Sequence, residues 1–130
     1  MGLIYVDTCL VIYAFEAHPV WGARALATMA AVPSGRLAIS SLVKLECLVA
    51  PMRTGNLPLQ THYEQGLAQF TLLPLTDEVF VRAAELRARF NLKTPDALHL
   101  AAAQCHGCEA LWTNDNRLDQ ASRGLATNVL

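Results

Sequence analysis

The sequence predicts an α/β fold: a central, mostly parallel sheet of four to five strands with helices on both faces. Three observations predict it. Short continuous apolar runs alternate with longer helix-patterned stretches along the whole chain. The first run, Leu3-Ile4-Tyr5-Val6, has no polar face, as a strand buried on both sides requires. Strands alternate with helices throughout, which a parallel sheet covered by helices on both faces requires.

The elements follow in order. Leu3–Val6 reads as the first strand, ended by Asp7-Thr8, with a helical stretch from Cys9 to Phe15. The Ala-rich segment Val20–Ala31 carries Trp21, Leu26 and Met29 at helical spacing, and Pro33-Ser34-Gly35 is a turn. Leu37–Ile39 is a second strand, and Ser40-Ser41 offers an N-cap for a helix from Leu42 to Met52, closed near Gly55. Leu57–Gly66 is helical, and Phe70–Leu73 is a third strand ended by Pro74. Thr76-Asp77-Glu78 caps a helix to Phe90, with Val79, Phe80, Ala83, Leu86 and Phe90 on one face. Thr94 is read as the N-cap of the next helix, with Pro95 its first residue, Cys105 near its end and Gly107 its stop. Ala110–Thr113 is a fourth strand, and Leu125–Leu130 holds a fifth.

Composition narrows the function classes. The chain has 130 residues, of which 53% are apolar and 16% charged. That length suits one domain with its own core, and that composition excludes intrinsic disorder. No stretch approaches the ~20 apolar residues of a membrane span, nor is a secretory leader pattern visible, so the chain reads as soluble and cytoplasmic. The net charge is −1, so any binding to nucleic acid must be local. The apolar excess points to a surface covered by a partner or a second copy, with Trp21–Met29 and Leu42–Met52 as the expected contact faces.

The positions of the acids carry the functional signal. Asp7 ends the first strand, Glu46 lies early in the helix after the second, Asp96 is in the first turn of its helix, and Asp115 follows the fourth strand by two residues. Ligands of open α/β sheets bind outside the carboxyl ends of the strands, and these four of the eleven acids fall at that edge. Each one singly is explained as a helix cap or a solvated charge, but four coincident placements are not. Two unit charges about 4 Å apart repel by about 4 kcal/mol at an effective dielectric of 20. Such a cluster binds protons or hard cations, and oxygen-only donors favour Mg²⁺ or Mn²⁺, one or two ions, over zinc. Carboxylate-held ions of this kind suit phosphoryl chemistry.

Ile4-Tyr5-Val6-Asp7-Thr8, Glu46 in Ser41-Leu42-Val43-Lys44-Leu45-Glu46, Thr94-Pro95-Asp96-Ala97-Leu98-His99-Leu100-Ala101 and Leu111-Trp112-Thr113-Asn114-Asp115 together resemble the acidic motifs of PIN-domain nucleases, most closely the VapC-type toxins of bacterial type II toxin–antitoxin pairs. The resemblance covers nearly the whole chain and implies a single three-layer PIN-like domain over residues 1–130. It carries the metal-binding and catalytic roles to Asp7, Glu46, Asp96 and Asp115, with the hydroxyls of Thr8 and Thr113 in support. It implies a Mg²⁺- or Mn²⁺-dependent endoribonuclease that leaves a 3′-hydroxyl and a 5′-phosphate, forms a homodimer and is neutralised by a cognate antitoxin. The alternative is a non-catalytic PIN module that binds RNA or protein, against which the intact acid set argues.

Other residues carry weaker signals. A signalling receiver domain needs an acidic pair near the first strand, and a haloacid-dehalogenase-type phosphatase needs an Asp where Cys9 stands. Cys105-His106-Gly107-Cys108 is a lone C-x-x-C at a helix C-terminus, so neither zinc nor redox chemistry is expected there, and Cys9 and Cys47 read as core residues. His99, three residues after Asp96 on the same helix face, is placed to approach the pocket and bind phosphate or a metal-bound water, but the favoured reading is a partly buried helix histidine, and Trp21, Trp112 and Phe80 read as core. Among the cations, Lys44 and Arg117 are the foremost possible phosphate contacts, with Arg24, Arg53 and Arg123 behind them.

Overall fold

A computed structural model describes residues 2–130; Met1, which the 1–130 domain expectation includes, lies outside the described residues. The chain runs β1 (Ile4–Val6), α1 (Thr8–Phe15), α2 (Gly22–Ala30), β2 (Leu37–Ser40), α3 (Ser41–Thr54), α4 (Leu57–Leu67), β3 (Thr71–Leu73), α5 (Asp77–Phe90), α6 (Thr94–Cys105), β4 (Ala110–Thr113), α7 (Asp119–Ser122) and β5 (Ala126–Asn128), with single 3-10 turns at Ser34–Arg36 and Asn116–Leu118. The five strands form one sheet in the order β3-β2-β1-β4-β5, and every pairing is parallel. Helices α1 to α4 pack among themselves, as do α5 to α7, and the two groups form the outer layers of a three-layer α/β structure.

The middle strand β1 is wholly buried, and its register fixes the geometry of the sheet edge. Tyr5 lies opposite Ala38 on β2 and Leu111 on β4. Side chains alternate along a strand, so Ser40 and Thr113, each two residues further on, share the sheet face of Tyr5. The chain moves from β1 to β2 on one side and returns to β4 on the other. The crevice between the ends of β1 and β4 is therefore the topological switch point of the sheet.

Local chemistry sets the helix boundaries. Asp7 caps α1, accepting from the Thr8 N–H, so α1 begins one residue before the expected Cys9. Ser40, Asn56 and Thr76 cap α3, α4 and α5 through side-chain oxygens, and Gly55 ends α3 in the left-handed region at φ 69°. The expected cap at Thr94 is corrected: Lys93 is the N-cap residue, Thr94 is the first helical residue and Pro95 the second. Lys93 makes no side-chain cap bond, and Pro95 removes one N–H that a cap would have had to satisfy. Phe80 is corrected as well. Val79, Ala83 and Leu86 form the buried stripe of α5, while Phe80, about 100° further round the helix, is half exposed. Trp21 and Trp112 are each partly exposed rather than enclosed. Among the described residues no helix is long and apolar enough to cross a membrane.

The junction of α1 and α2 depends on a close backbone approach. A Cβ on Gly22 would lie 2.8 Å from the Ala17 carbonyl carbon and 2.9 Å from the Tyr13 oxygen, and neither backbone atom can swing aside. Gly22→Ala is expected to destabilise by about 1–3 kcal/mol despite the better helix propensity of alanine. Gly35, whose added Cβ would meet nothing within 4 Å, is the control. Chemical denaturation of both variants checks this: equal stability of Gly22→Ala and wild type would contradict the packing account.

Candidate functional site

The parallel sheet brings three of the four acids to its carboxyl edge through separate elements. Asp7 follows β1, and its backbone N–H continues the β1–β4 ladder by donating to Trp112 O at 2.9 Å. Asp115 follows β4. Helix α6 runs back across the sheet into β4, so its N-terminal turn, with Asp96, returns to the same edge. Glu46 comes from the second turn of α3 in the opposite helical layer.

Two threonines position the carboxylates. Thr113 Oγ1 donates to Asp7 Oδ2 at 2.8 Å and accepts from the Asp115 N–H at 3.0 Å, tying the ends of β1 and β4 together. Thr8 N–H donates to Asp7 Oδ1 at 2.7 Å, and Thr8 Oγ1 donates to Glu46 Oε1, also at 2.7 Å. The hydroxyls expected to support the acids thus bond to them directly.

Sequence reasoning missed the buried polar chain beneath the acids. His99 is 2% exposed. Its Nε2 lies 2.7 Å from Glu46 Oε1 and 3.7 Å from Asp7 Oδ1, and its Nδ1 is 2.7 Å from the Tyr5 hydroxyl. The Tyr5 hydroxyl is also 2.8 Å from Ser40 Oγ, which accepts from the Leu42 N–H at 3.3 Å. A carboxylate only accepts, so His99 Nε2 is the donor to Glu46. With that proton on Nε2, Nδ1 can accept from the Tyr5 hydroxyl, whose oxygen accepts from Ser40. Every group in the chain is satisfied by that assignment, and no buried side-chain nitrogen or oxygen among the described residues lacks a partner. Burial pushes the Tyr5 phenol well up, which keeps its proton in place. His99, expected as a partly buried helix histidine, is instead an enclosed strut under Glu46.

The electrostatics divide the acids. Burial first, and then the negative charges of Asp115 and Asp7, push the Asp96 carboxyl above its ordinary value, with Arg117 and His99 opposing. Hydrogen bonds from Arg117 hold Asp115 below its ordinary value against its burial. Burial raises Glu46, but the bonds from His99 and Thr8 outweigh it and the net displacement is downward. Arg117 lies on the carboxylates: its Nε donates to both oxygens of Asp115 at 2.9 and 3.0 Å, and its Nη2 is 2.6 Å from Asp115 Oδ2 and 3.7 Å from Asp96 Oδ2. Lys44 is partly buried on α3, two residues before Glu46, and makes no ion pair among the described residues. Arg24 bonds the carbonyl of Leu130 at the chain end.

The donor set fits a hard divalent cation in its chemistry: oxygen-only ligands, two of them held ionised and a third under pressure to find a positive partner. It is not a closed cage. Among the described residues no three His, Cys, Asp or Glu side chains are already gathered as ligands. Glu46 is engaged by Thr8 and His99, and Asp115 by Arg117. The cysteines stay outside this chemistry. Burial pushes the Cys9 thiol up to about 12, with Asp7 adding to it, and Cys105 and Cys108 are free thiols raised by burial.

An all-parallel sheet with acids from β1, α6 and β4 at its switch point defines an α/β protein with an acidic edge site. The PIN domain family matches residues 4–124, and the chain belongs to that family. No curated protein matches it. Among solved structures it is similar to a toxin–antitoxin complex from Klebsiella pneumoniae, with 23% identity, a TM-score of 0.81, and 99% of this chain and 98% of that one covered. It is similar to FitAcB from Neisseria gonorrhoeae at 18% identity and TM-score 0.81, with 98% of each chain covered. It is also similar to a sarcin–ricin loop cleaving VapC toxin from Mycobacterium tuberculosis at 18% identity and TM-score 0.75, covering 91% of this chain and 94% of that one. At these identities the likeness is one of fold.

The raised Asp96 has a consequence for stability. An acid whose folded pKa lies above its unfolded value of about 3.9 costs stability when ionised; that cost is absent at low pH and appears as pH rises through the folded value. In EDTA, Asp96→Asn is therefore expected to melt above wild type at pH 7. The advantage should fade as the pH falls through the carboxylate range. Thermal melts across pH check it: a variant less stable than wild type at pH 7 would contradict the repulsion.

Proposed function

We propose that this chain, residues 1–130 acting as one PIN domain, is an endoribonuclease that hydrolyses RNA phosphodiesters with Mg²⁺ or Mn²⁺. We place it as the toxin of a type II toxin–antitoxin pair. The observation that carries the reading is the convergence of Asp7, Asp96 and Asp115 at the switch point, where Thr113 bonds Asp7 Oδ2 and Arg117 Nη2 lies 2.6 Å from Asp115 Oδ2 and 3.7 Å from Asp96 Oδ2, a negative cluster that favours a bound cation. Asp7, Asp96 and Asp115 would hold the ion, and Glu46 would serve it from the opposite layer. When bound, a divalent ion supplies Lewis-acid charge to phosphodiester oxygens and lowers the pKa of water.

The chain's own groups do the rest. Thr113 and Thr8 fix both oxygens of Asp7, so that carboxylate cannot rotate away from the edge. His99, backed by Tyr5, holds Glu46 ionised and aimed. Arg117 occupies the carboxylates without an ion and is long enough to release them and meet a phosphate instead. The net charge of −1 gives no general attraction for RNA, so the cation and the few basic groups at this edge must provide it.

The partners follow the same reading. The Klebsiella structure is a toxin–antitoxin complex, and VapBC2 from Rickettsia felis is bound to a DNA fragment from their promoter. This chain exposes Leu45, Val49 and Met52 on one stripe of α3 and Leu26 on α2. These residues fall in the two segments expected to make contacts, and they support a homodimer and a cognate antitoxin. The second reading, a PIN module that binds without cutting, retains the same surfaces.

Asp7→Asn nearly conserves shape while deleting one charge, so it is expected to keep the fold and to lower metal-dependent cleavage of single-stranded RNA by about two to three powers of ten. Gel assays with Mg²⁺, Mn²⁺ and EDTA check this. Equal cleavage by variant and wild type, unaffected by EDTA, overturns the site. No cleavage by wild type with either ion favours the binding module.

A further inference from the structure

Beside the carboxylates, the turn between α5 and α6 borders a half-open pocket of about 260 Å³ lined by Phe90, Asn91, Leu92, Lys93, Asp96 and Arg117. Hydrogen bonds hold the backbone of that turn. Asn91 ends α5 in the left-handed region at φ 55°, with its N–H donating to Arg87 O at 3.0 Å. The Arg87 guanidinium donates back across the turn from Nε to Leu92 O at 2.9 Å, and Leu92 itself is buried. Lys93 O accepts the Ala97 N–H at 3.0 Å and starts α6. The Asn91 carboxamide, by contrast, makes no hydrogen bond among the described residues and is exposed at the rim.

The lining combines three kinds of group. Phe90 and Leu92 are apolar, Asn91 offers a donor and an acceptor, and Lys93 and Arg117 are cations. Lys93 stands near enough to Asp115 to favour its ionised form, and Arg117 reaches Asp115 and Asp96. Asp96 and Arg117 thus belong both to this pocket and to the acidic site. A ligand seated here lies next to whatever occupies the carboxylates.

We propose that this pocket holds the base of one unpaired nucleotide beside the bond that is cut, with Lys93 and Arg117 taking the adjoining phosphate; the inference rests on the ribonuclease reading and names its substrate contact. Every base offers a flat apolar face for an aromatic wall and a hydrogen-bonding edge for a carboxamide. The volume lies just below that of sites for drug-sized molecules, which suits one base rather than a stacked pair. A base inside a duplex cannot enter such a pocket, so the substrate strand must be single-stranded or looped there. A partner's basic side chain aimed at the carboxylates would meet Lys93 and Arg117 on the way, which disfavours a protein occupant.

The test uses the full chain and three variants outside the acidic set. Phe90→Leu keeps the apolar wall and removes the ring; Asn91→Gly suits the left-handed backbone and removes the carboxamide; Lys93→Gln removes the cation. The cut bond is first located in a randomised single-stranded RNA pool. Substrates carrying one abasic residue at each position around it are then compared by kcat/KM. Wild type is expected to lose about tenfold at one position next to the cut, and Phe90→Leu to lose about tenfold on intact RNA with little further loss on that abasic substrate. Equal abasic sensitivity of variant and wild type overturns the proposal. A second arm needs no catalysis: anisotropy of fluorescein-labelled single-stranded RNA with EDTA present. Weaker binding by Lys93→Gln and Asn91→Gly supports the pocket even if wild type cuts nothing. Unchanged binding by all three variants overturns it even if wild type cuts RNA. Variants that lose the co-expressed antitoxin but bind and cut RNA normally also overturn it, because the pocket then serves the protein partner.

Discussion

Asp7, Asp96 and Asp115 reach one edge of a parallel sheet from three different elements, and their mutual repulsion governs what surrounds them. Burial and the charges of Asp115 and Asp7 raise Asp96, so the edge stores an unmet demand for positive charge. Arg117 meets part of it by lying across Asp115 and toward Asp96. An exposed guanidinium pairs more weakly with carboxylates than a buried one does, so under the proposed function a divalent ion displaces Arg117 at less cost than it would break a buried pair. The same guanidinium, once released, stays at the rim of the pocket beside the site.

The sheet holds these charges in place because it is anchored in polar chemistry as well as in apolar packing. Tyr5 sits at the centre of the middle strand with no exposure, yet its hydroxyl connects Ser40 on β2 to His99 on α6. His99 carries that connection to Glu46 on α3, in the other helical layer. One chain of hydrogen bonds therefore crosses all three layers below the acids. A fully satisfied buried network resists alternative packings because each broken bond leaves a desolvated polar group, at about 1–3 kcal/mol apiece.

Much of this was legible in the sequence for physical reasons. Leu3–Val6, Leu37–Ile39 and Ala110–Thr113 are apolar on both faces, and only a covered parallel sheet accommodates that, so strand placement and layer order followed. The acids were legible because connectivity alone sends Asp7, Asp96 and Asp115 to one edge. What stayed hidden depends on contacts between distant residues. His99 looked bland because nothing local shows that Tyr5 and Glu46 converge on its two nitrogens. The available signal was Tyr5 itself, since a tyrosine in a strand buried on both faces must find a partner for its hydroxyl. Ser40 read only as a cap because its second role lies across the sheet. Arg117 read as a phosphate contact, since its engagement with Asp96 depends on how α6 is placed over β4. Phe80 was misassigned because helical periodicity around a stripe blurs residues at its margin.

The central claim is that the switch-point edge between β1 and β4 is a divalent cation site. Crystals soaked in Mn²⁺ and measured for anomalous scattering at the manganese edge test it most directly. The account predicts an anomalous peak bordered by the carboxylates of Asp7, Asp96 and Asp115, with the Arg117 guanidinium moved off Asp115. A Mn²⁺ peak elsewhere, or none at saturating ion with Arg117 still paired to Asp115, would contradict it.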